Sequence, residues 1–238
     1  MSQHPALIAC GHGTRSPEGQ AVMSAWVRAL ADARPELDVL PAFVDVQEPT
    51  LADVAGGCVE RGRRAVVVPL LLSTGYHVQV DVERVVAASS GLLVAAPALG
   101  PDRLLVDLLQ QRLAEAGAGP EDGIVLAAAG SSDPRAVGDV EAVGEWLGRE
   151  RGVEVVCGYL AAARPTVEEA VARLKEHRPG EPVSVANYLL APGHFATRLA
   201  RLAEDGTVGR VAATLAPAPS LTRLVLRRFD QVAATFVP

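Results

Sequence analysis

The chain has 238 residues, of which 49% are hydrophobic and only 4% aromatic, and its formal net charge is −6. This length suits one large domain or two small ones, and the acidic balance argues against a nucleic-acid-binding groove. No window approaches ~18 uninterrupted apolar residues, so we expect no membrane-spanning helix. The first residues lack the pattern of a signal peptide. We therefore expect a soluble cytoplasmic protein without membrane or nucleic-acid partners.

Eight short apolar runs predict buried β-strands. Each run is nearly continuous rather than alternating, which is typical of strands covered on both faces. The runs lie at residues 6–10, 39–46, 65–73, 92–98, 123–129, 153–160, 183–190 and 210–216. Amphipathic segments with helical spacing separate them, for example at residues 21–33, 50–61, 103–114, 166–175 and 221–229. This alternation predicts an α/β fold with doubly wound parallel sheets.

The order of the motifs repeats once along the chain. The segment GTRSP at 13–17 matches GSSDP at 130–134, and pairing His77 with His194 keeps the offset near 117 residues. Because several separate segments keep one spacing, we infer an ancestral duplication. The three cysteines are far apart and form no CxxC pair, which argues against a zinc knuckle or a disulfide framework.

The repeat predicts two halves, at residues 1–117 and 118–238, joined by a Gly/Pro-rich stretch at 116–123. Each half is expected to hold one four-stranded parallel sheet of flavodoxin-like topology, with the two halves related by pseudo-two-fold symmetry.

Side chains that can bind metals follow three strands of the first half. His12 follows the first strand, Glu48 the second and His77 the third, with Asp81 four residues later. Ligands of an open α/β sheet bind beyond the carboxyl ends of its strands, so we expect these groups at one edge, with both histidines in loops. Neutral imidazole suits borderline metals such as cobalt, iron and nickel. An open, weak ligand set would also release the ion, unlike a closed four-ligand cage.

The motifs HGTRSPEG, FVDVQEPTL and VVVPLLLSTGYHVQVD occur in this order within the duplicated layout. They resemble the class II tetrapyrrole chelatases, specifically the CbiX/SirB-type sirohydrochlorin chelatases, over most of the chain. The resemblance implies a lyase that inserts Fe²⁺ or Co²⁺ into sirohydrochlorin, in sirohaem or cobalamin biosynthesis. It implies no cofactor beyond the substrate metal ion, Fe²⁺, Co²⁺ or Ni²⁺. Thr14 stands where the family commonly has Ser, and Tyr76 replaces a Gly before His77.

The resemblance also implies roles for individual residues. His12 and His77 would be the metal-binding and catalytic pair, and Glu48 would be their acidic partner. The substrate-binding residues expected in the first half are Thr14, Arg15, Ser16, Thr74 and Tyr76.

The second half has lost most of these groups. Ala129 stands in place of His12, Arg164 in place of Glu48, and Arg198 in place of Asp81. We expect the first half to carry the chemistry and the second to form the other wall of a cleft. There, Arg164 and Arg198 would bind the carboxylates of sirohydrochlorin. The alternative is drift after duplication, with both arginines solvated.

Several alternatives stay open from the sequence. The protein could be a chelatase for nickel or for another tetrapyrrole, or a non-catalytic tetrapyrrole-binding or metal-binding carrier. His194 could face the cleft or be held in a turn. Because the fusion supplies both halves in one chain, we expect a monomer.

Overall fold

The computed structural model describes residues 4–236, except for the side chains of residues 76–79. Its strands are β1 (Ala6–Gly11), β2 (Val39–Phe43), β3 (Ala65–Pro69), β4 (Leu93–Ala95), β5 (Gly123–Ala128), β6 (Val155–Tyr159), β7 (Val183–Tyr188) and β8 (Arg210–Val211). Its helices are α1 (Pro17–Ala33), α2 (Leu51–Glu60), α3 (Tyr76–Ala87), α4 (Arg103–Glu115), α5 (Pro134–Arg151), α6 (Val167–His177), α7 (His194–Glu204) and α8 (Pro219–Ala233).

The strands form two parallel sheets with the same topology. Their orders are β2-β1-β3-β4 and β6-β5-β7-β8. The predicted α/β class, the eight strands and the doubly wound topology are confirmed. Several strands are shorter than their apolar runs. The run at 210–216, for example, contains only a two-residue strand. Leu215 and Ala216 are buried, and their amides donate to the carbonyl oxygens of Leu189 and Leu190, which lie beyond the end of β7.

Contacts within the chain define two compact units. Unit 1 comprises Met1–Leu99 and Pro217–Pro238, and unit 2 comprises Gly100–Ala216. The predicted halves describe the repeat in sequence, whereas the compact units have exchanged the last helix of each repeat. Thus α4 packs with α5 and β7 in unit 2, and α8 packs with α1 and β3 in unit 1.

The core of unit 1 explains why these segments fold as they do. Successive side chains of β1 face opposite layers, and Ala6, Ile8 and Cys10 pack in one cluster with residues of α2 and α3. Trp26 of α1 and Phe229 of α8 are also almost completely buried. Each helix therefore covers the sheet with one apolar stripe. None of the helices in the described part of the chain has the length and apolar character needed to cross a bilayer.

Candidate functional site

Three loops leave the first sheet side by side at its carboxyl edge. Strand β1 lies between β2 and β3, with Gly11 opposite Phe43 and Cys10 opposite Pro69. Because β2 and β3 lie on opposite sides of β1, the winding direction reverses there. This switch point is where open α/β sheets bind ligands. The loops after β1, β2 and β3 therefore frame the candidate site.

His12 is the first residue after β1, and its side chain is exposed. Its carbonyl oxygen accepts a hydrogen bond from the Asp45 amide at 3.0 Å. The next residue, Gly13, has φ +98°, and a Cβ there would lie 2.0 Å from the Asp45 carbonyl oxygen. Only glycine fits this turn without strain. Glycine thus lets the backbone pass close to the neighbouring loop while the imidazole faces solvent.

Glu48 is held at the beginning of α2. Its Oε2 accepts a hydrogen bond from the Thr50 amide at 3.1 Å, and its side chain is exposed. Thr50 caps the helix, because its hydroxyl oxygen accepts a hydrogen bond from the Asp53 amide at 3.1 Å. Glu48 therefore lies on the loop that contacts the His12 backbone, as the sequence predicts.

Three predicted substrate-binding residues lie between His12 and α1. Ser16 is the N-cap of α1 and accepts a hydrogen bond from the Gly19 amide at 3.3 Å. The Thr14 hydroxyl accepts one from the Ser16 amide at 3.1 Å, whereas the Arg15 side chain is exposed. The side chains of Thr14 and Ser16 thus shape the loop, and Arg15 is directed towards solvent.

The prediction that His77 lies in a loop is wrong, because His77 is the second residue of α3, after the N-cap Gly75. The side chains of His77 and Tyr76, both predicted site residues, lie outside the described residues. Thr74 is half-buried just before this helix.

Asp81, one turn further along α3, acts on the end of β1. Burial, with a smaller effect from the Asp81 carboxylate, raises the pKa of the Cys10 thiol to about 12. Asp81 also forms an ion pair with Arg84 at 3.1 Å.

Two glutamines that sequence reasoning missed hold the backbone of Thr14. The Thr14 amide donates a hydrogen bond to Oε1 of Gln47 at 3.3 Å. The Thr14 carbonyl oxygen accepts one from Nε2 of Gln20 at 2.7 Å. We call these two contacts the glutamine clamp. The sequence contained one signal for it, since the repeat has alanine and valine at the corresponding positions, Ala163 and Val137.

In unit 2 the two predicted substrate-binding arginines pair with glutamates of α6. Arg164 forms an ion pair with Glu169 and is 74% exposed. Arg198 donates to Glu168 at 2.7 Å and to the Leu160 carbonyl oxygen at 2.8 Å. The described contacts therefore offset the charge of both arginines locally.

The strand register shows that His77 and His194 are not equivalent positions in the two repeats, so the predicted correspondence between them is wrong. Val183 begins β7 opposite the first residue of β5, just as Ala65 begins β3 opposite the first residue of β1. The helices that follow begin at Tyr76 and at His194. His194 therefore corresponds to Tyr76, and Phe195 corresponds to His77.

By the same shift, Arg198 is equivalent to Val80 rather than to Asp81, so the predicted correspondence between Arg198 and Asp81 is also wrong. Equivalent residues of the two repeats are 117 positions apart at β1 and 118 positions apart at β3. Assuming one constant offset along the chain concealed this difference. His194 itself is exposed, with its ring 5.7 Å from that of Phe195.

Among the described side chains, which exclude that of His77, no three His, Cys, Asp or Glu groups converge on a point suited to a metal ion. The joint binding of one ion by His12 and His77 stays a prediction.

The fold and the site define a class: internally repeated, doubly wound α/β proteins with an exposed imidazole at the switch point of the first sheet. The CbiX family model matches this chain twice, at residues 6–116 and 123–232. The chain belongs to the CbiX family.

Named relatives extend this finding. The chain is 29% identical over 205 residues to the sirohydrochlorin ferrochelatase of Bacillus subtilis (strain 168), covering 82% of this chain and 78% of the relative. It is 27% identical over 129 residues to the sirohydrochlorin cobaltochelatase of Methanosarcina acetivorans, covering 49% of this chain and 99% of the relative. The structure of SirB from Bacillus subtilis with Fe³⁺ matches with a TM-score of 0.83 and 25% identity, over 98% of this chain and 97% of SirB.

Proposed function

We propose that this chain is a sirohydrochlorin chelatase that inserts Fe²⁺ or Co²⁺ into the macrocycle. The observation that carries the proposal is the position of His12, exposed at the switch point and hydrogen-bonded through its backbone to the loop that bears Glu48. The names of the relatives include both iron and cobalt insertion, which supports one reaction class with different metals.

The reaction sets chemical demands that these residues meet. The hydrated ion must lose part of its water shell, and the two pyrrole N–H groups must each lose a proton as the four nitrogens bind the metal. A neutral imidazole of His12, together with that of His77, would hold the ion through a labile set. The carboxylate of Glu48 would accept a proton within hydrogen-bonding reach.

Substrate recognition would rest on the carboxylates of sirohydrochlorin. Arg15 is exposed and lies two residues before the beginning of α1, and the helix dipole favours anions at this end. We place Thr14 and Ser16 in this contact region through their hydroxyl groups, which accept the loop hydrogen bonds and can still donate one to a carboxylate. We place Thr74 in the loop after β3 and Tyr76 at the beginning of α3.

Arg164 and Arg198 would contribute further carboxylate contacts from unit 2. A substrate carboxylate has to compete with the glutamates of α6 for both, and Arg198 has less capacity because it also binds a backbone carbonyl. We therefore expect Arg164→Ala to raise the KM for sirohydrochlorin more than Arg198→Ala. An unchanged KM in both variants would remove them from the substrate site.

The experiment that tests the function follows the absorption spectrum of sirohydrochlorin with catalytic amounts of protein under anaerobic conditions. Co²⁺, Fe²⁺ and Ni²⁺ are supplied separately, and a protein-free blank gives the spontaneous rate. Multiple turnovers with cobalt or iron support the chelatase, and the three rates rank the metals. A single shift equal to the amount of protein, without turnover, would identify a carrier instead. The monomeric state and the cytoplasmic location stay predictions.

A further inference from the structure

We propose that Gln47 and Gln20 are positioning residues, which fix the His12 imidazole by holding the backbone of Thr14. This inference rests on the proposed function, because it assigns the glutamine clamp a purpose at the same site. Neither glutamine needs to touch the metal or the macrocycle.

The contacts show what the clamp joins. Gln47 precedes Glu48, so its hydrogen bond to the Thr14 amide ties the loop of His12 to the loop of Glu48. Gln20 lies in α1, so its hydrogen bond to the Thr14 carbonyl oxygen ties the same residue to a rigid helix. Thr14 is therefore held on both sides of its Cα atom, two residues after His12.

The second repeat provides an internal comparison, since it folds the same loop without the clamp. The Ala161 amide donates to the Ala129 carbonyl oxygen at 2.9 Å, which reproduces the contact made by His12. Gly130 has φ +92°, and the Ser131 hydroxyl accepts a hydrogen bond from the Asp133 amide at 3.0 Å. The turn, the backbone contact and the hydroxyl contact are all conserved between the two halves.

The glutamine contacts differ between the two repeats. Ala163 and Val137 occupy the positions of Gln47 and Gln20, and neither side chain can form a hydrogen bond. The loop conformation therefore does not require the clamp. The clamp is present in the repeat that carries an imidazole at this position and is missing in the repeat that carries Ala129. Its purpose therefore concerns the His12 side chain rather than the folding of the loop.

The glycine after His12 explains why such a clamp is useful. Gly11 is fixed by its pairing in β1, whereas Gly13 has no Cβ, so the backbone after His12 has more intrinsic conformational freedom than at other residue types. The backbone hydrogen bond at the His12 carbonyl does not hold the next peptide, whose amide is that of Thr14. Catalytic groups have to be held within roughly 0.5 Å of the productive geometry, and the clamp supplies the second point of attachment.

The test converts each glutamine into the residue of the second repeat, as Gln47→Ala and Gln20→Val. We expect kcat/KM for Co²⁺ to fall about 5-fold to 10-fold in each variant, the usual effect of losing one hydrogen bond. The KM for sirohydrochlorin should stay within about twofold, since no substrate contact is removed. The matched control is Gln111→Ala, an exposed glutamine of α4 in unit 2, which should retain the parental constants.

Two further measurements separate positioning from a general structural effect. Gln47→Glu keeps an acceptor for the Thr14 amide, so its kcat/KM should recover to within about threefold of the parent. In a His12→Ala background, Gln47→Ala should have no additional effect, because the side chain that it positions is gone.

The outcomes distinguish this inference from the proposed function. Parental kcat/KM in Gln47→Ala and Gln20→Val, beside an inactive His12→Ala, overturns the clamp alone. An equal additional loss on Gln47→Ala in the presence and absence of His12 also overturns it. Parental activity of His12→Ala removes the role of His12 and the clamp together, whereas a parent protein without turnover removes the proposed function.

Discussion

Gly13 and Asp45 approach so closely that a Cβ on the glycine would lie 2.0 Å from the carbonyl oxygen of the aspartate. The same relationship recurs in unit 2, where a Cβ on Gly130 would lie 1.9 Å from the Ala161 carbonyl oxygen. Both glycines have positive φ, at +98° and +92°. The same glycine-to-alanine substitution can therefore be compared in the repeat that carries His12 and in the repeat that has Ala129 at that position.

We expect Gly13→Ala and Gly130→Ala each to lower the free energy of unfolding by about 1–3 kcal/mol, because each forces a methyl group into a strained and occupied position. Denaturant titrations measure this loss. Below both unfolding transitions, Gly13→Ala should lower kcat for Co²⁺ insertion about tenfold or more, since the His12 loop has to move. Gly130→Ala should retain at least about a third of kcat, and equal losses in the two variants would contradict the assignment of chemistry to the first repeat.

The Glu168–Arg198 pair predicts a specific dependence of stability on pH. Burial of Glu168 acts to raise its pKa, but the hydrogen bond from Arg198 and other favourable contacts outweigh this and lower it. A carboxyl whose pKa is lower in the folded state stabilises the protein above its unfolded pKa of ~4.3, and this contribution is lost as pH falls through the folded value.

Arg198→Ala should therefore lose less stability than the parent on acidification from about pH 6 to about pH 3. Urea denaturation at a series of pH values measures the difference. Arg164→Ala is the control variant, because it removes the exposed Arg164–Glu169 ion pair, and such a pair contributes under about 1 kcal/mol to the free energy of unfolding at neutral pH. Curves for Arg198→Ala and the parent that run parallel over this pH range would show that the pair does not perturb Glu168.

Helix α8 packs with α1 and β3 in unit 1. We therefore expect its apolar face to stabilise the first sheet, from which it is distant in sequence. Phe229 is 2% exposed, so Phe229→Ala should cost about 3–5 kcal/mol in the free energy of unfolding. The control Gln231→Ala removes an exposed side chain two residues further along α8 and should change stability by less than about 0.5 kcal/mol. Thermal and denaturant unfolding compare the two variants, and equally small effects would exclude a packing role for α8.

The strands and their order could be predicted because fully covered parallel strands appear as continuous apolar runs. The ends of the strands could not be predicted, because burial continues past the last paired residue of a strand, as Leu70 after β3 illustrates. The sequence also could not predict that α4 packs in unit 2 and α8 in unit 1. An amphipathic stripe shows that a helix is covered, and it does not identify the sheet that covers it.

The positions of His12 and Glu48 after β1 and β2 could be predicted, because the strand-end rule applies directly to them. The predicted correspondence between His77 and His194 failed. It aligned two identical residues, although the backbone positions of the two repeats differ by one residue there. The glutamine clamp lies in a loop and at a helix beginning, where side-chain periodicity carries no information. Only its absence from the second repeat distinguishes Gln47 from an ordinary surface residue.

The most direct test of the central claim compares steady-state Co²⁺ insertion into sirohydrochlorin by His12→Ala and by His194→Ala. The two variants remove the same side chain from different repeats, and circular dichroism confirms that both are folded. We predict that His12→Ala loses about 100-fold or more in kcat, the usual effect of losing a catalytic imidazole, while His194→Ala stays within about threefold of the parent. A His12→Ala variant that turns over at the parental rate would contradict the account.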